Sequence, residues 1–232
     1  VVKPAHALAF GLSADPVHVG HTGVVQAACD WLGTQKNTPT RVIILPVGRI
    51  NPVGKKSSAT ADFSHRLALC ELAFASLPLP CPVQVLDTEW QRMQAGSRCN
   101  TTWDSLKTLE NTLLWQEEVT FLLSDDHFSG KNPAFFRWHR WNDLLPRANW
   151  LLAQRPGHEM APETWNTLES IIQASGHWLG RLHWPSPDIS SSRLRQWLAT
   201  GRPEDSKKAE PFLPETVSAY IKKFDLYADK PD

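Results

Sequence analysis

Short apolar runs alternate along this chain with longer amphipathic stretches, and that alternation restricts the fold more than any other feature. Runs at residues 5–10, 41–46, 83–87, 119–124, 150–153 and 181–184 read as strands. Several are apolar at consecutive positions, the pattern of a strand covered on both faces. Residues 21–32, 63–77, 104–116, 135–145 and 162–174 place apolar side chains at helical spacing, and residues 189–198 and 214–224 add two late helices. Strands alternating with helices predict an α/β fold, a Rossmann-like, doubly wound parallel sheet with helices on both faces. Ligands then sit at the carboxyl ends of the strands, near the point where strand order reverses. The expected organisation is one domain over residues 1–232, with a C-terminal helical part from about 185.

Composition removes several classes of function. The 24 basic and 24 acidic side chains cancel, so no general basic surface argues for nucleic acid or an anionic membrane. No apolar stretch approaches the roughly 20 residues of a membrane span, and the first residues do not read as a secretory leader. Cys29, Cys70, Cys81 and Cys99 show no C-x-x-C spacing, so a reduced, cytoplasmic protein without structural zinc is expected. A homo-oligomer is compatible with all of this. There is neither a G-x-G-x-x-G nor a G-x-x-x-x-G-K-[ST] run, which sets aside the dinucleotide fingerprint and the P-loop.

The chemistry-bearing segment follows the first apolar run: Phe10-Gly11-Leu12-Ser13-Ala14-Asp15-Pro16-Val17-His18-Val19-Gly20-His21. His18 and His21, three apart, fall on one face of the first turn of a helix and point back toward the strand end. A helix start offers open backbone N–H groups and the positive end of the dipole, so two imidazoles there suit phosphate groups. Gly20 between them lets a nucleotide lie against the backbone. A zinc pair or two surface histidines are the alternatives.

A second run, Ile189-Ser190-Ser191-Ser192-Arg193-Leu194-Arg195, puts three hydroxyls, a helix start and two arginines in one turn. That composition suits a polyphosphate, although serines also simply cap helices. Phe121-Leu122-Leu123-Ser124-Asp125-Asp126 ends a strand in carboxylates, which serve either a site or a helix cap. The polar loop at residues 51–62 carries Lys55 and Lys56; solvated lysines are the alternative to a basic arm.

These motifs together resemble the bacterial nicotinate-nucleotide adenylyltransferases of the H-x-G-H nucleotidyltransferase superfamily. The first segment is similar to F-G-G-T-F-D-P-V-H followed by x-G-H, and the second to I-S-S-T/S-x-I-R. Trp138-His139-Arg140-Trp141 resembles W-Y-R-W, Thr102-Trp103-Asp104-Ser105-Leu106 the end of S-Y-T-x-D-T-L, and Arg155-Pro156-Gly157 the R-P-G of the family. Leu213-Pro214 to Tyr220-Ile221 is similar to the closing L-P-x-x-V-x-x-Y-I. Leu12, Ala14, Thr101 and Ser124 differ from the pattern.

The resemblance implies transfer of the adenylyl group of ATP to nicotinate mononucleotide, with Mg²⁺ accompanying ATP. It implies His18 and His21 as catalytic residues. Gly11, Ser13, Gly20, Lys55, Lys56, Asp126, Ser191, Ser192 and Arg195 are implied to hold ATP and its phosphates. Thr102, Trp138 and Arg155 are implied to hold the mononucleotide, with Trp138 stacked on the pyridine ring. No side chain is expected to form a dedicated metal site. Alternatives are an acceptor such as nicotinamide mononucleotide, or a non-catalytic nucleotide-binding homologue.

Overall fold

The computed structural model describes residues 5–48, 60–97, 101–112 and 118–228. Among these residues, six parallel strands form one sheet in the order β3-β2-β1-β4-β5-β6. They are β1 (His6–Leu12), β2 (Arg41–Pro46), β3 (Val83–Val85), β4 (Glu118–Ser124), β5 (Asn149–Ala153) and β6 (Leu179–Leu182). In chain order the helices are α1 (Val19–Thr34), α2 (Phe63–Ala75), α3 (Thr88–Gln94), α4 (Thr102–Thr112), α5 (Trp141–Leu144), α6 (Pro162–Ala174), α7 (Ser191–Ala199), α8 (Pro203–Ala209) and α9 (Glu215–Phe224). Strand order reverses between β1 and β4, where an open α/β sheet leaves a crevice.

Register explains why the strands are apolar at consecutive positions. Phe10 pairs with Ile44 on one side and Leu122 on the other, and Leu122 pairs with Leu151. This row packs beneath Val25 and Leu32 of α1, Phe74 of α2, Leu194 of α7 and Val217 of α9. One residue earlier, Ala9 pairs with Ile43 and Phe121, and Phe121 with Trp150. That row faces the other way, onto Leu106 of α4 and Leu168 and Ile172 of α6. Side chains alternate across a strand, so a sheet covered twice needs both rows apolar. The Trp150 indole, fully buried, donates to the Leu145 carbonyl at 2.9 Å, which satisfies its one polar atom.

The expected helix over residues 135–145 is not continuous. A 3₁₀ turn at Ala134–Arg137 is followed by extended Trp138, and Arg140 takes a left-handed conformation (φ 55°) before α5 begins. Pro133 precedes this stretch and Pro146 ends it. α3 and α8 were not expected; each is short and mostly polar. The last strand lies two residues earlier than expected, at Leu179–Leu182.

A buried guanidinium frames the upper edge of the sheet. Arg66 of α2 donates to the carbonyls of Ser13, Val47, Gly48 and Ala61 at 2.6–3.3 Å. It thereby joins the loop after β1, the end of β2 and the approach to α2.

Candidate active site

The crevice at the ends of β1, β4 and β5 opens into a cavity of about 370 Å³, within the range that holds a small ligand. Gly11 and Ser13 reach it from the end of β1, and His18, Gly20 and His21 from the start of α1. Asp126 follows β4, Arg155 follows β5, and Ser190 and Ser191 enter from the start of α7. Two helix N-termini therefore converge on one space, each with open N–H groups and a positive dipole end.

The two histidines form the cap of α1. His18 is the N-cap residue, in extended backbone, and its Nδ1 accepts from the Gly20 N–H at 3.1 Å. His21, at the third helical position, returns the favour: its Nδ1 accepts from the His18 N–H at 3.2 Å. This is the reciprocal arrangement of a capping box, with imidazoles in place of Ser/Thr and Glu/Gln. A nitrogen that accepts from a backbone N–H carries no proton. Both neutral rings therefore hold their proton on Nε2.

Electrostatics keep the pair neutral. Burial pushes His18 down to about 4, and the Arg155 cation adds to this. Burial, the neighbouring His18 ring and Arg155, in that order, hold His21 well below the ordinary imidazole value. The ring centroids lie 3.8 Å apart, too close for two cations to share the site. Gly20 is required by the same packing, since a Cβ there would sit 2.9 Å from the His18 ring.

Asp126 and Arg155 form an ion pair at 3.0 Å. Asp125, pushed up by burial, accepts from the Arg155 N–H at 2.9 Å and ties the end of β4 to the end of β5. Asp126 Oδ1 is buried without a hydrogen-bond partner. Among the described residues no group of three His, Cys, Asp or Glu side chains converges as a metal site.

At α7, Ser190 is the N-cap and accepts from the Arg193 N–H at 3.2 Å. The Ser191 hydroxyl donates to the Pro16 carbonyl at 2.9 Å. Arg195 donates to the Asp15 carbonyl at 2.6 Å and lies 3.3 Å from its carboxylate, with Ser192 Oγ at 3.3 Å from its other nitrogen. Ser192 and Arg195 do not line the cavity: Ser192 is exposed, and Arg195 reaches back to Asp15. Lys55 and Lys56 lie outside the described residues.

Thr102 and Trp138 do not line this cavity. Trp138 is half-buried, packed on Phe135 and edge-on to His127 with ring centroids 5.2 Å apart, and His127 does line it. Thr102 opens α4, whose cap is made by Thr101 and Asp104 through bonds of 2.8 and 2.9 Å. The Arg140 guanidinium covers the Trp103 ring at 4.1 Å, which brings the start of α4 beside the turn that carries Trp138. His127 and Trp184 are lining residues that the sequence motifs did not single out. For Trp184 the one signal was a tryptophan in a proline-rich, polar stretch just before the serine run.

No protein-family model matches the chain. A nicotinate-nucleotide adenylyltransferase of Bordetella pertussis is 30% identical over 220 residues, covering 94% of this chain and 95% of the relative. That of Trichormus variabilis is 28% identical over 230 residues, covering 97% and 98%. Among solved structures, nicotinic acid mononucleotide adenylyltransferase of Plasmodium falciparum in complex with NaAD aligns with a TM-score of 0.69. It covers 96% of this chain and 97% of that one at 18% identity.

Proposed function

Since the chain belongs to the nicotinate-nucleotide adenylyltransferase family, we propose an assignment of roles in which the crevice residues carry out adenylyl transfer. The enzyme transfers the adenylyl group of ATP to nicotinate mononucleotide, forming deamido-NAD and pyrophosphate. An oxygen of the acceptor's 5′-phosphate attacks the α-phosphorus in line, a new P–O bond forms, and the bond to the β-phosphate oxygen breaks with its electron pair leaving on pyrophosphate. The nucleophile is already an anion, so no general base is needed. The protein's work is to align two anions and stabilise the charge that moves onto the leaving group.

One observation carries the assignment: two neutral imidazoles, each with its Nδ1 held by a backbone N–H, offer Nε2–H donors at a helix start. His18 and His21 donate to the transferring phosphate oxygens, His21 to the transition state. Gly11, Ser13 and Gly20 let the triphosphate lie against the backbone. Ser191, Ser192 and Arg195, with Lys55 and Lys56, hold the β- and γ-phosphates. Arg155 meets the mononucleotide, with its charge balanced by Asp126 until substrate arrives. Mg²⁺ enters with the substrate as Mg·ATP, held by phosphate oxygens and water. Asp126 Oδ1, a buried oxygen with no hydrogen-bond partner, fits as a point of contact for that complex or for ATP itself. We treat residues 1–232 as one domain, in which the helices from Ser191 onward pack on the same apolar face as α1 and α2.

Trp138 and the Thr102 end of α4 receive the pyridine ring. Trp138→Ala is expected to weaken nicotinate mononucleotide binding about ten-fold, the scale of one lost stacking contact, with ATP affinity unchanged. Calorimetry with each ligand reads this, and equal losses for both would make Trp138 a packing residue. The function itself is tested by pyrophosphate release with ATP, Mg²⁺ and either the acid or the amide mononucleotide. Release with the acid form is expected. A preference for the amide would move the question of selectivity to the loop that carries Thr101, and no release with either, from protein that binds ATP, would leave a nucleotide-binding homologue.

A further inference from the structure

Asp15 is a carboxylate with no exposed surface, set in the loop that carries His18. Its Oδ1 accepts from the Ala61 N–H at 3.0 Å. Its Oδ2 faces the Arg195 guanidinium at 3.3 Å yet has no hydrogen-bond partner. The other nearby cation, Arg66, directs its nitrogens at four backbone carbonyls. A carboxylate this deeply buried needs its charge answered locally. If Arg195 turns to a triphosphate, Oδ2 loses the group opposite it.

The far end of the described chain supplies a replacement. After α9, Asp225 (φ 48°) and Tyr227 (φ 71°) both take left-handed backbone conformations, which bulky side chains rarely adopt and which persist only where surrounding packing enforces them. The result drives the Tyr227 ring into the core beside α2 and α9, 4% exposed. Its hydroxyl is buried, without a hydrogen-bond partner, and lies against the Asp15 carboxylate. Two buried polar atoms without hydrogen-bond partners, one a donor and one an acceptor, thus lie near each other, with the Arg195 and Arg66 guanidinium groups close by. Neither has a role in the reaction as assigned above.

We infer that Tyr227 is a positioning residue for Arg195, its hydroxyl donating to Asp15 Oδ2 and so releasing the guanidinium from this carboxylate to the triphosphate. Without that donor, Arg195 is needed at Asp15 and is held back from the nucleotide. The inference rests on the phosphate-binding role proposed for Arg195.

Tyr227→Phe keeps the ring and removes only the hydroxyl, so its melting temperature is expected to stay close to that of the wild type. Calorimetry without acceptor is expected to show ATP bound about ten-fold more weakly, the scale of one hydrogen bond to a charged group. Adenosine, which has no phosphates, is expected to bind as before. On an Arg195→Ala background, Tyr227→Phe should cost no further ATP affinity. Unchanged ATP binding by Tyr227→Phe, a matching loss for adenosine, or the same added loss on Arg195→Ala would each overturn the inference. Arg195→Ala alone, if it left ATP affinity intact, would remove its premise. Pyrophosphate release by the wild type tests the assigned reaction separately, since none of these binding measurements requires turnover.

Discussion

His21→Ala is expected to lower kcat by about 10²–10³-fold, the effect of removing one donor aimed at a developing oxyanion. The same substitution also deletes half of the α1 capping box, because His21 Nδ1 accepts the His18 N–H. Loss of a cap costs about 1 kcal/mol, so some fall in melting temperature accompanies it. His21→Gln separates the two effects. Glutamine is the usual partner at that position of a capping box and returns an acceptor to the His18 N–H without an imidazole. Wild-type stability with turnover still depressed is the expected outcome for His21→Gln. Full turnover in that variant would reduce the ring to a capping group and move the catalytic donor elsewhere.

The second large effect is acid lability. His18 is held at about 4 in the folded protein, against about 6.5 in an unfolded chain. Between these values the unfolded chain binds a proton that the folded one refuses, so stability falls as pH drops from about 6.5 toward 4 and levels off below. The gap corresponds to about 3 kcal/mol for this ring. Burial lowers His6, His21, His127 and His177 in the same direction. Asp125 and Glu89, both raised by burial, work in the opposite sense by taking up protons in the folded state. Melting temperature followed from pH 7.5 to 4.5 reads the sum. His18→Asn, which keeps a favoured N-cap residue and removes the titrating ring, should show a flatter profile. Identical profiles for the two proteins would contradict the neutral, buried state assigned to His18.

Sheet and site were legible in the sequence to different depths. Strands β1, β2, β4 and β5 were readable because burial on both faces demands consecutive apolar residues, and runs such as Arg41–Pro46 leave no other reading. The histidine pair at the start of α1 was readable because the residues that stand out in the sequence, His18 and His21, are also the ones that cap the helix. Trp138 was harder: helical spacing over 135–145 conceals the left-handed Arg140 that breaks the helix, and no local pattern marks that residue. Thr101 stood out as a departure from the family pattern, and its hydroxyl accepts from the Asp104 N–H at the start of α4. Arg195 was legible as a cation in the serine-rich turn, but its bond to the Asp15 carbonyl spans 180 residues and has no signature in either segment. Tyr227 was invisible for the same reason.

Arg66 has a consequence for how proteins of this build can diverge. One guanidinium holds the carbonyls of Gly48 and Ala61, so both ends of the intervening segment are fixed by a residue outside it. The entropy of closing such a segment grows only with the logarithm of its length. Insertions or deletions between these two anchors therefore disturb the sheet and the crevice little. Length can therefore change between the two anchors while the loop after β1 and the end of β2, held by the same guanidinium, stay in place.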